Sequence, residues 1–199
     1  MAQDPRYGLP TYTPTARGLH WLIAFLVFIQ LPLGVYMSYR GNEMETVNEK
    51  GETVKGVFDA LTGALYSSHK LIGLTIFLLI VLRLLYRLSH GAPRSDPSVP
   101  PALTGASHFV HWMLYVLLIA VPIAGYLAIS YGRYLEVFGI PLPAITEKNE
   151  DMSKEIFEWH ETGAFLILAF VTLHVLAAIY HRFVRKDRVV ERMLPRKVA

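Results

Sequence analysis

The sequence predicts an all-α membrane protein, a four-transmembrane-helix up-and-down bundle with both termini cytoplasmic. Three observations lead to this class. First, 53% of the 199 residues are hydrophobic and only 18% are charged, which is unusual for a water-soluble domain. Second, four apolar stretches are long enough to cross a hydrocarbon core of about 30 Å. Third, Lys and Arg concentrate in alternate connecting segments, as cytoplasmic loops require. We therefore expect residues 1–199 to form a single transmembrane domain.

The four spans are expected at about residues 18–38, 61–89, 107–130 and 156–184. An arm of residues 1–16, rich in Pro, Thr and Tyr, precedes the first span. Because the arm lacks the apolar run of a signal peptide, we expect the first span to be uncleaved and the arm to be disordered. Polar, acidic segments at 39–59 and 131–155 follow the first and third spans. A proline-rich connector at 90–105 separates the second and third spans, since prolines break helices.

The distribution of charge predicts the orientation. Of the 19 Lys and Arg residues, 12 lie in the arm, in the connector with the end of the second span, or in the tail that begins at Arg182. The positive-inside rule places these segments, and hence both termini, in the cytoplasm. Of the 16 acidic residues, 12 lie in the two acidic segments or at the adjoining start of the fourth span. The external face is therefore expected to be electronegative.

Four histidines fall at matched depths in the predicted spans. His20 lies near the cytoplasmic end of the first span and His69 in the outer half of the second. His160 and His174 are 14 residues apart on the fourth span, which places them on one helical face at an outer and an inner depth. His20 with His174, and His69 with His160, would each present two imidazoles from different helices. Two axial ligands of a b-type haem require this arrangement.

The type of cofactor is narrowed by the absence of cysteine, which excludes iron–sulfur clusters and covalent c-type haem. Two bis-histidine b-type haems would suit one-electron transfer and would form an electron path across the membrane. The alternative for each histidine is an interhelical hydrogen bond. Gly34, Gly73 and Gly163 lie near the expected haem levels, where they either leave room for a macrocycle or allow close helix packing.

Further candidates lie near the predicted cytoplasmic side. His181 follows the inner histidine of the fourth span by two turns, and His108 and His111 stand at i and i+3 near the start of the third span. These three residues could bind a haem propionate or a quinone headgroup, or they could face water. Arg83 could pair with a propionate through a charge-assisted hydrogen bond, or it could be an interfacial anchor. His90 is expected in a loop, without a role.

Five segments from the four spans and the basic tail carry a family resemblance: RGLHWLIA, HKLIGLTIFLLIVLRLLYRL, LTGASHFVHWMLYVLLIAVPIAGY, EWHETGAF and LHVLAAIYHRFVRKDRVVERMLPRK. They resemble the bacterial cytochrome b561 family. The resemblance implies a four-helix bundle in the bacterial inner membrane that holds two b-type haems. His20, His69, His160 and His174 match the positions of the haem ligands in that family.

The resemblance also implies an activity. One member of the family is a superoxide oxidase, which passes electrons from periplasmic superoxide to ubiquinone, and its position matching His181 is associated with the quinone. This sequence departs from that enzyme in its first external loop, which is longer and acidic. A negative exterior repels an anion such as superoxide, unless Lys70, Arg133 or another cation lines the entrance. The acidic loop could equally dock a basic electron-transfer protein.

Three functions follow as hypotheses. The first is a superoxide:ubiquinone oxidoreductase-like enzyme, with lipid, ubiquinone and a small donor as partners and no nucleic acid. The second is a haem-bearing electron-transfer or anchor subunit that serves a separate periplasmic redox protein. The third is a membrane scaffold without a cofactor.

Overall fold

Four long helices dominate the computed structural model of the protein, which describes residues 11–48 and 50–194. They are α1 (Pro14–Asn42), α2 (Ala60–His90), α3 (Pro101–Gly132) and α4 (Glu150–Ile179). Each contains an apolar stretch with a mean hydropathy of 1.9 or 2.2, and each is long enough to cross a membrane. The predicted all-α class with four spanning helices is therefore confirmed. Both cytoplasmic termini and the single domain stay predictions, and most of the expected disordered arm, residues 1–10, lies outside the described residues.

The helices extend beyond the apolar stretches that predicted them. For example, α3 begins at Pro101 and not at 107, and α4 begins at Glu150 and not at 156. Hydropathy identifies only the part of a helix that lies in the hydrocarbon core, whereas the helical backbone continues into the polar interface. The connector is correspondingly shorter than predicted. His90, expected in a loop, is the last residue of α2, and its ring stacks on Tyr86 with 4.1 Å between centroids.

Side chains at the polar ends fix where the helices begin. The Thr62 N–H donates to Asp59 Oδ1 at 2.8 Å, so Asp59 caps α2, whose first four N–H groups lack partners within the helix. The Met152 N–H donates to Asn149 Oδ1 at 3.1 Å in the same way at α4. Proline at the first position of α3 needs no such acceptor, because its own N–H is missing.

The two acidic segments each contain a short antiparallel hairpin that hydropathy and spacing do not predict. Strands β1 (Glu45–Val47) and β2 (Thr53–Lys55) pair between α1 and α2, and β3 (Glu136–Val137) pairs with β4 (Ile140–Pro141) between α3 and α4. The β3–β4 turn has positive φ at both central residues, Phe138 (49°) and Gly139 (79°). Two-residue hairpin turns favour this conformation.

The chain divides into two compact units. The described part of the first unit is 11–23, 78–121 and 162–194, and that of the second is 24–48, 50–77 and 122–161. Each unit therefore contains a segment of all four helices. Within the first unit, Arg83 of α2 donates to the Ala16 carbonyl of α1 at 2.6 Å, and Arg87 lies over the Trp112 ring of α3. Ring contacts then join α3 to α4 and α4 to α1, so consecutive helices are neighbours in this unit.

Large apolar side chains cover the outer faces of the helices. Phe25 is 62% exposed, Leu88 66% and Phe183 69%. A water-soluble protein rarely leaves so many large apolar side chains uncovered, whereas lipid tails solvate them. The exposure thus agrees with a membrane location for all four helices.

Candidate functional site: two facing histidine pairs

The first unit contains a pair of facing imidazoles, His20 from α1 and His174 from α4. Their ring centroids are 6.1 Å apart and their planes make an angle of 81°. Two metal–imidazole bonds of about 2 Å each, together with the half-widths of the rings, require about 6 Å between centroids. One metal ion between the two rings therefore fits the observed separation.

The second unit contains an equivalent pair, His69 from α2 and His160 from α4. Their centroids are 6.0 Å apart and their planes make an angle of 78°. The side chain of Gln30 on α1 donates to the His69 carbonyl at 2.9 Å. Gln30 Oε1 and His69 Nδ1 are both buried without a hydrogen-bond partner among the described residues. A buried orphan ring nitrogen is costly in a protein interior, so this imidazole is suited to a site that a further group completes.

Two glycines let helix backbones approach the imidazoles of the second unit. A Cβ at Gly34 of α1 would lie 3.0 Å from His69 Cε1, and a Cβ at Gly125 of α3 would lie 2.9 Å from both His160 Cε1 and His160 Nδ1. The sequence did not predict a role for Gly125 at a histidine. These positions have no space for a side chain while the rings keep their places.

Gly73 and Gly163, the other two glycines expected near the haem levels, serve helix packing. A Cβ at Gly73 would lie 3.2 Å from Gln30 Nε2, and a Cβ at Gly163 would lie 2.5 Å from Val121 Cγ2. For these two positions the alternative of close helix packing accounts for the glycine.

The histidine pairs fit haem better than a bare ion. Across residues 11–48 and 50–194, no group of three or more His, Cys, Asp and Glu side chains is arranged to hold a metal ion. Each pair offers only two nitrogens. A porphyrin supplies four more nitrogens around iron, so a bis-histidine b-type haem matches both the donor set and the ring separation.

The remaining candidates of the first unit differ in their surroundings. His111 is half-buried, and its ring centroid lies 5.2 Å from that of His174. This contact depends on the rotation of α3 about its axis, which sequence spacing does not reveal. His108 is exposed, in line with the alternative that it faces water or lipid headgroups. Arg83 is half-buried in the same unit and donates to a backbone carbonyl.

His181 has a partner that the sequence did not predict. Its Nδ1 lies 2.6 Å from Asp187 Oδ2, and the two side chains are only 13% and 9% exposed. Arg185 Nε also donates to Asp187 Oδ2, at 3.1 Å. Burial raises the pKa of Asp187, but the hydrogen bonds from His181, the Val189 N–H and Arg185 outweigh burial and bring this pKa below its usual value. Asp187 is therefore an ionised carboxylate at neutral pH.

The compact unit that contains the His69–His160 pair also contains the cation Lys70. Lys70, next to His69 in the chain, donates through Nζ to the Tyr134 carbonyl at 2.8 Å and to the Glu136 carbonyl at 2.9 Å. Arg133 is exposed and donates to the Ser130 carbonyl at 3.2 Å. Lys70 therefore brings its positive charge to the loop that follows α3.

Four apolar spanning helices with facing histidine pairs define a class, the multi-pass membrane proteins that hold a cofactor between their helices. The comparison with known families gives the family within this class: the description prokaryotic cytochrome b561 matches residues 11–196. This chain belongs to the prokaryotic cytochrome b561 family. It is a b-type haem protein that spans the bacterial inner membrane several times. The predicted family resemblance and location are therefore confirmed.

Relatives from three bacteria align with nearly the whole chain. A probable superoxide oxidase of Yersinia pestis is 30% identical over 182 residues, covering 90% of this chain and 93% of that protein. Cytochrome b561 homolog 2 of Escherichia coli is 28% identical over 191 residues, covering 95% and 91%. Cytochrome b562 of Cereibacter sphaeroides is 26% identical over 191 residues, covering 93% and 96%. These similarities support electron transfer as the general activity.

Proposed function

We propose that the protein is a dihaem cytochrome that carries electrons across the inner membrane from a periplasmic donor to the ubiquinone pool. His20 with His174 would hold one haem, and His69 with His160 the other. The observation that carries this proposal is the facing of two imidazoles in each compact unit at 6.0 and 6.1 Å. Since a metal between two imidazoles requires about this distance, a chance pair of membrane histidines is a weaker account.

Ligation by two histidines and close helix packing both favour electron transfer as the chemistry of these sites. A haem held by two histidines would supply one-electron transfer. Gly34 and Gly125 support the second pair by letting α1 and α3 close on the rings. Close packing of this kind excludes water and holds the imidazoles in one orientation.

Superoxide is the donor that we propose, with dioxygen as its product. The name of the Yersinia relative, probable superoxide oxidase, supports this choice. Lys70 supports it on physical grounds, because a fixed cation raises the local concentration of a small anion. Its ammonium group lies on the loop that follows α3, in the same compact unit as the His69–His160 pair.

Ubiquinone is the acceptor that we propose, at the cytoplasmic end of α4 near His181. The predicted orientation, with both termini cytoplasmic, places that end on the cytoplasmic side. Arg83 and His111 are in the same compact unit as the His20–His174 pair, so they are candidates for partners of its haem propionates. For His108 we propose no more than an interfacial position, because it is exposed.

The alternative function is a haem-bearing electron-transfer or anchor subunit for a separate periplasmic redox protein. The β1–β2 hairpin favours it, because Glu45 and Glu52 are exposed there and Phe58, just after the hairpin, is 83% exposed. A segment with exposed carboxylates and an exposed apolar side chain offers a surface to which a basic protein can dock. If the protein acts alone as an enzyme, no other protein would need to bind this hairpin.

Haem content tests the proposed ligands. We expect the wild-type protein to bind two haems per chain, and the variants His160→Ala and His174→Ala to bind about one each, with the loss of one low-spin signal. His90→Ala is the matched control, since His90 is exposed and stacks on Tyr86, and it should retain both haems. Full haem content in both ligand variants would refute the pairing.

Activity of the purified protein distinguishes the enzyme from the subunit. An isolated chain that reduces ubiquinone when supplied with superoxide, and loses this activity when superoxide dismutase is added, is the enzyme. A chain that is inert to superoxide but copurifies with a soluble redox protein, and is reduced by it, is the subunit.

A further inference from the structure

The chain turns back on itself at the end of α4. Residues Tyr180–Arg185 form a π-helical turn, and Lys186, which ends the turn, has a left-handed backbone with φ of 53°. The N–H groups of Lys186 and Asp187 both point to the His181 carbonyl. Single π-helical turns occur frequently at functional sites, because the wider turn changes the direction of side chains. Here the turn brings Asp187 to the ring of His181.

The carboxylate of Asp187 is held from both of its oxygens. Oδ2 accepts hydrogen bonds from His181 Nδ1 at 2.6 Å and from Arg185 Nε at 3.1 Å, and Oδ1 accepts one from the Val189 N–H at 3.2 Å. Arg185 is itself anchored, since it donates to the Ser98 carbonyl at 2.9 Å. The arrangement is therefore rigid on the side of the carboxylate.

An ionised carboxylate can only accept hydrogen bonds, so the proton of this pair belongs to His181 Nδ1. The other ring nitrogen, Nε2, makes no hydrogen bond with the described residues. Arg182, on the same turn, pairs with Glu191 at 2.8 Å, and both are exposed. Among the described residues, Asp187 contacts His181 through its carboxylate, and Arg185 donates to the same oxygen.

We infer that Asp187 is a positioning residue that holds His181 as the proton donor for quinone reduction. The inference rests on the proposed function, in which a quinone receives the electrons near this histidine. A quinone needs two electrons and two protons to become a quinol. Two superoxide anions supply one electron each. For each proton, the Nε2–H bond of the His181 imidazolium breaks while an O–H bond forms on a quinone oxygen, and a proton from the solvent then returns to Nε2.

The contribution of Asp187 is electrostatic and geometric. It keeps a proton on Nδ1 throughout, which directs the transferable proton to Nε2, and it stabilises the imidazolium that forms between transfers. A carboxylate behind a histidine has the same two effects in hydrolases. Asp187 does not exchange a proton, because its hydrogen bonds keep it ionised.

The test compares Asp187→Asn with the wild type in the haem-loaded, purified protein. The donor should reduce the haems of both proteins at the same rate. Reduction of a soluble short-chain ubiquinone should be slower in the variant by about 10- to 100-fold, part of the contribution that a positioned acid makes. The decrease should fall on kcat and leave the KM for ubiquinone nearly unchanged. A change that merely loosens the tail would raise KM instead.

Two further variants isolate the cause. Glu191→Gln makes the same chemical change four residues away on an exposed ion pair, and it should match the wild type. Asp187→Glu retains the negative charge, so it should recover part of kcat. If Asp187→Asn loses haem, the kcat of Asp187→Glu decides the question.

Two results distinguish a wrong role for Asp187 from a wrong electron acceptor. If the wild type reduces quinone and Asp187→Asn does so equally fast across the pH range, Asp187 has no such role. If the wild type with reduced haems does not reduce quinone at all, the proposed acceptor is wrong.

Discussion

Gly125 offers a sharp test of the histidine pair in the second unit. The substitution Gly125→Ala adds a Cβ that would lie 2.9 Å from two atoms of the His160 ring, whereas ordinary contacts begin at 3.4 Å. The ring or the helix must therefore move by about 0.5 Å. Metal–ligand distances tolerate only about 0.2 Å, so His160 cannot absorb the displacement and also keep its place opposite His69.

The size of the effect follows from overpacking. Inserting a methyl group into a well-packed site costs about 1–3 kcal/mol, which corresponds to a decrease of about 5- to 150-fold in affinity for the haem of this pair. The helix itself does not oppose the change, since alanine favours a helix by about 1 kcal/mol over glycine. We expect Gly34→Ala to have a milder effect, because its Cβ would lie 3.0 Å from one atom of His69 and 3.4 Å from another.

The assay is titration of the haem-free protein with haem, followed by the absorbance bands of the low-spin form. Gly125→Ala should lose or weaken one of two binding events and retain the other, which belongs to His20 and His174. Gly63→Ala is the matched control, since a Cβ there meets nothing within 4 Å. Two undiminished binding events in Gly125→Ala would show that His160 is not held in the position that haem ligation requires.

Two other predictions concern charged groups outside the histidine pairs. Lys70→Gln should slow haem reduction by superoxide several-fold at low ionic strength, and the difference from the wild-type rate should disappear in high salt because salt screens electrostatic steering. The control is Lys148→Gln, since Lys148 is exposed and paired with Glu150. Equal rates for all three proteins would exclude Lys70 from steering. The Thr62 N–H, the Thr62 hydroxyl and Arg40 hold the pKa of Asp59 below its usual value. Asp59→Ala should therefore lower the Tm at neutral pH, by an amount that disappears as the pH falls through the depressed pKa of Asp59, whereas a difference that grows in acid would contradict this account.

The sequence predicted the four spans and the candidate haem histidines because both signals are local. An apolar run identifies a span without knowledge of its neighbours, and a 14-residue spacing places His160 and His174 on one helical face. The same reasoning could not find His111 beside His174, or Gly125 beside His160. Those contacts depend on how each helix is rotated about its axis. Because the helices carry apolar side chains on most sides, the sequence does not indicate which side faces a neighbouring helix.

The end of α4 shows a second limit. Helical spacing placed His181 on the face of His174, but it could not place Asp187, because the chain leaves the α-helical path in between. The two hairpins were missed for a related reason. Their strands are two or three residues long, which is too short for an alternating pattern to be visible.

By itself, the sequence determined that this protein crosses a membrane four times and belongs to a haem-binding family, because hydropathy and motif identity are properties of consecutive residues. Only the tertiary structure decided which side chains meet: the two imidazoles of each pair at 6.0 or 6.1 Å, the glycines that clear the rings, and the carboxylate that holds His181. Such contacts join residues that are up to about 150 positions apart in the chain. They form only when helices of fixed pitch settle at particular rotations, which packing selects and local sequence does not encode.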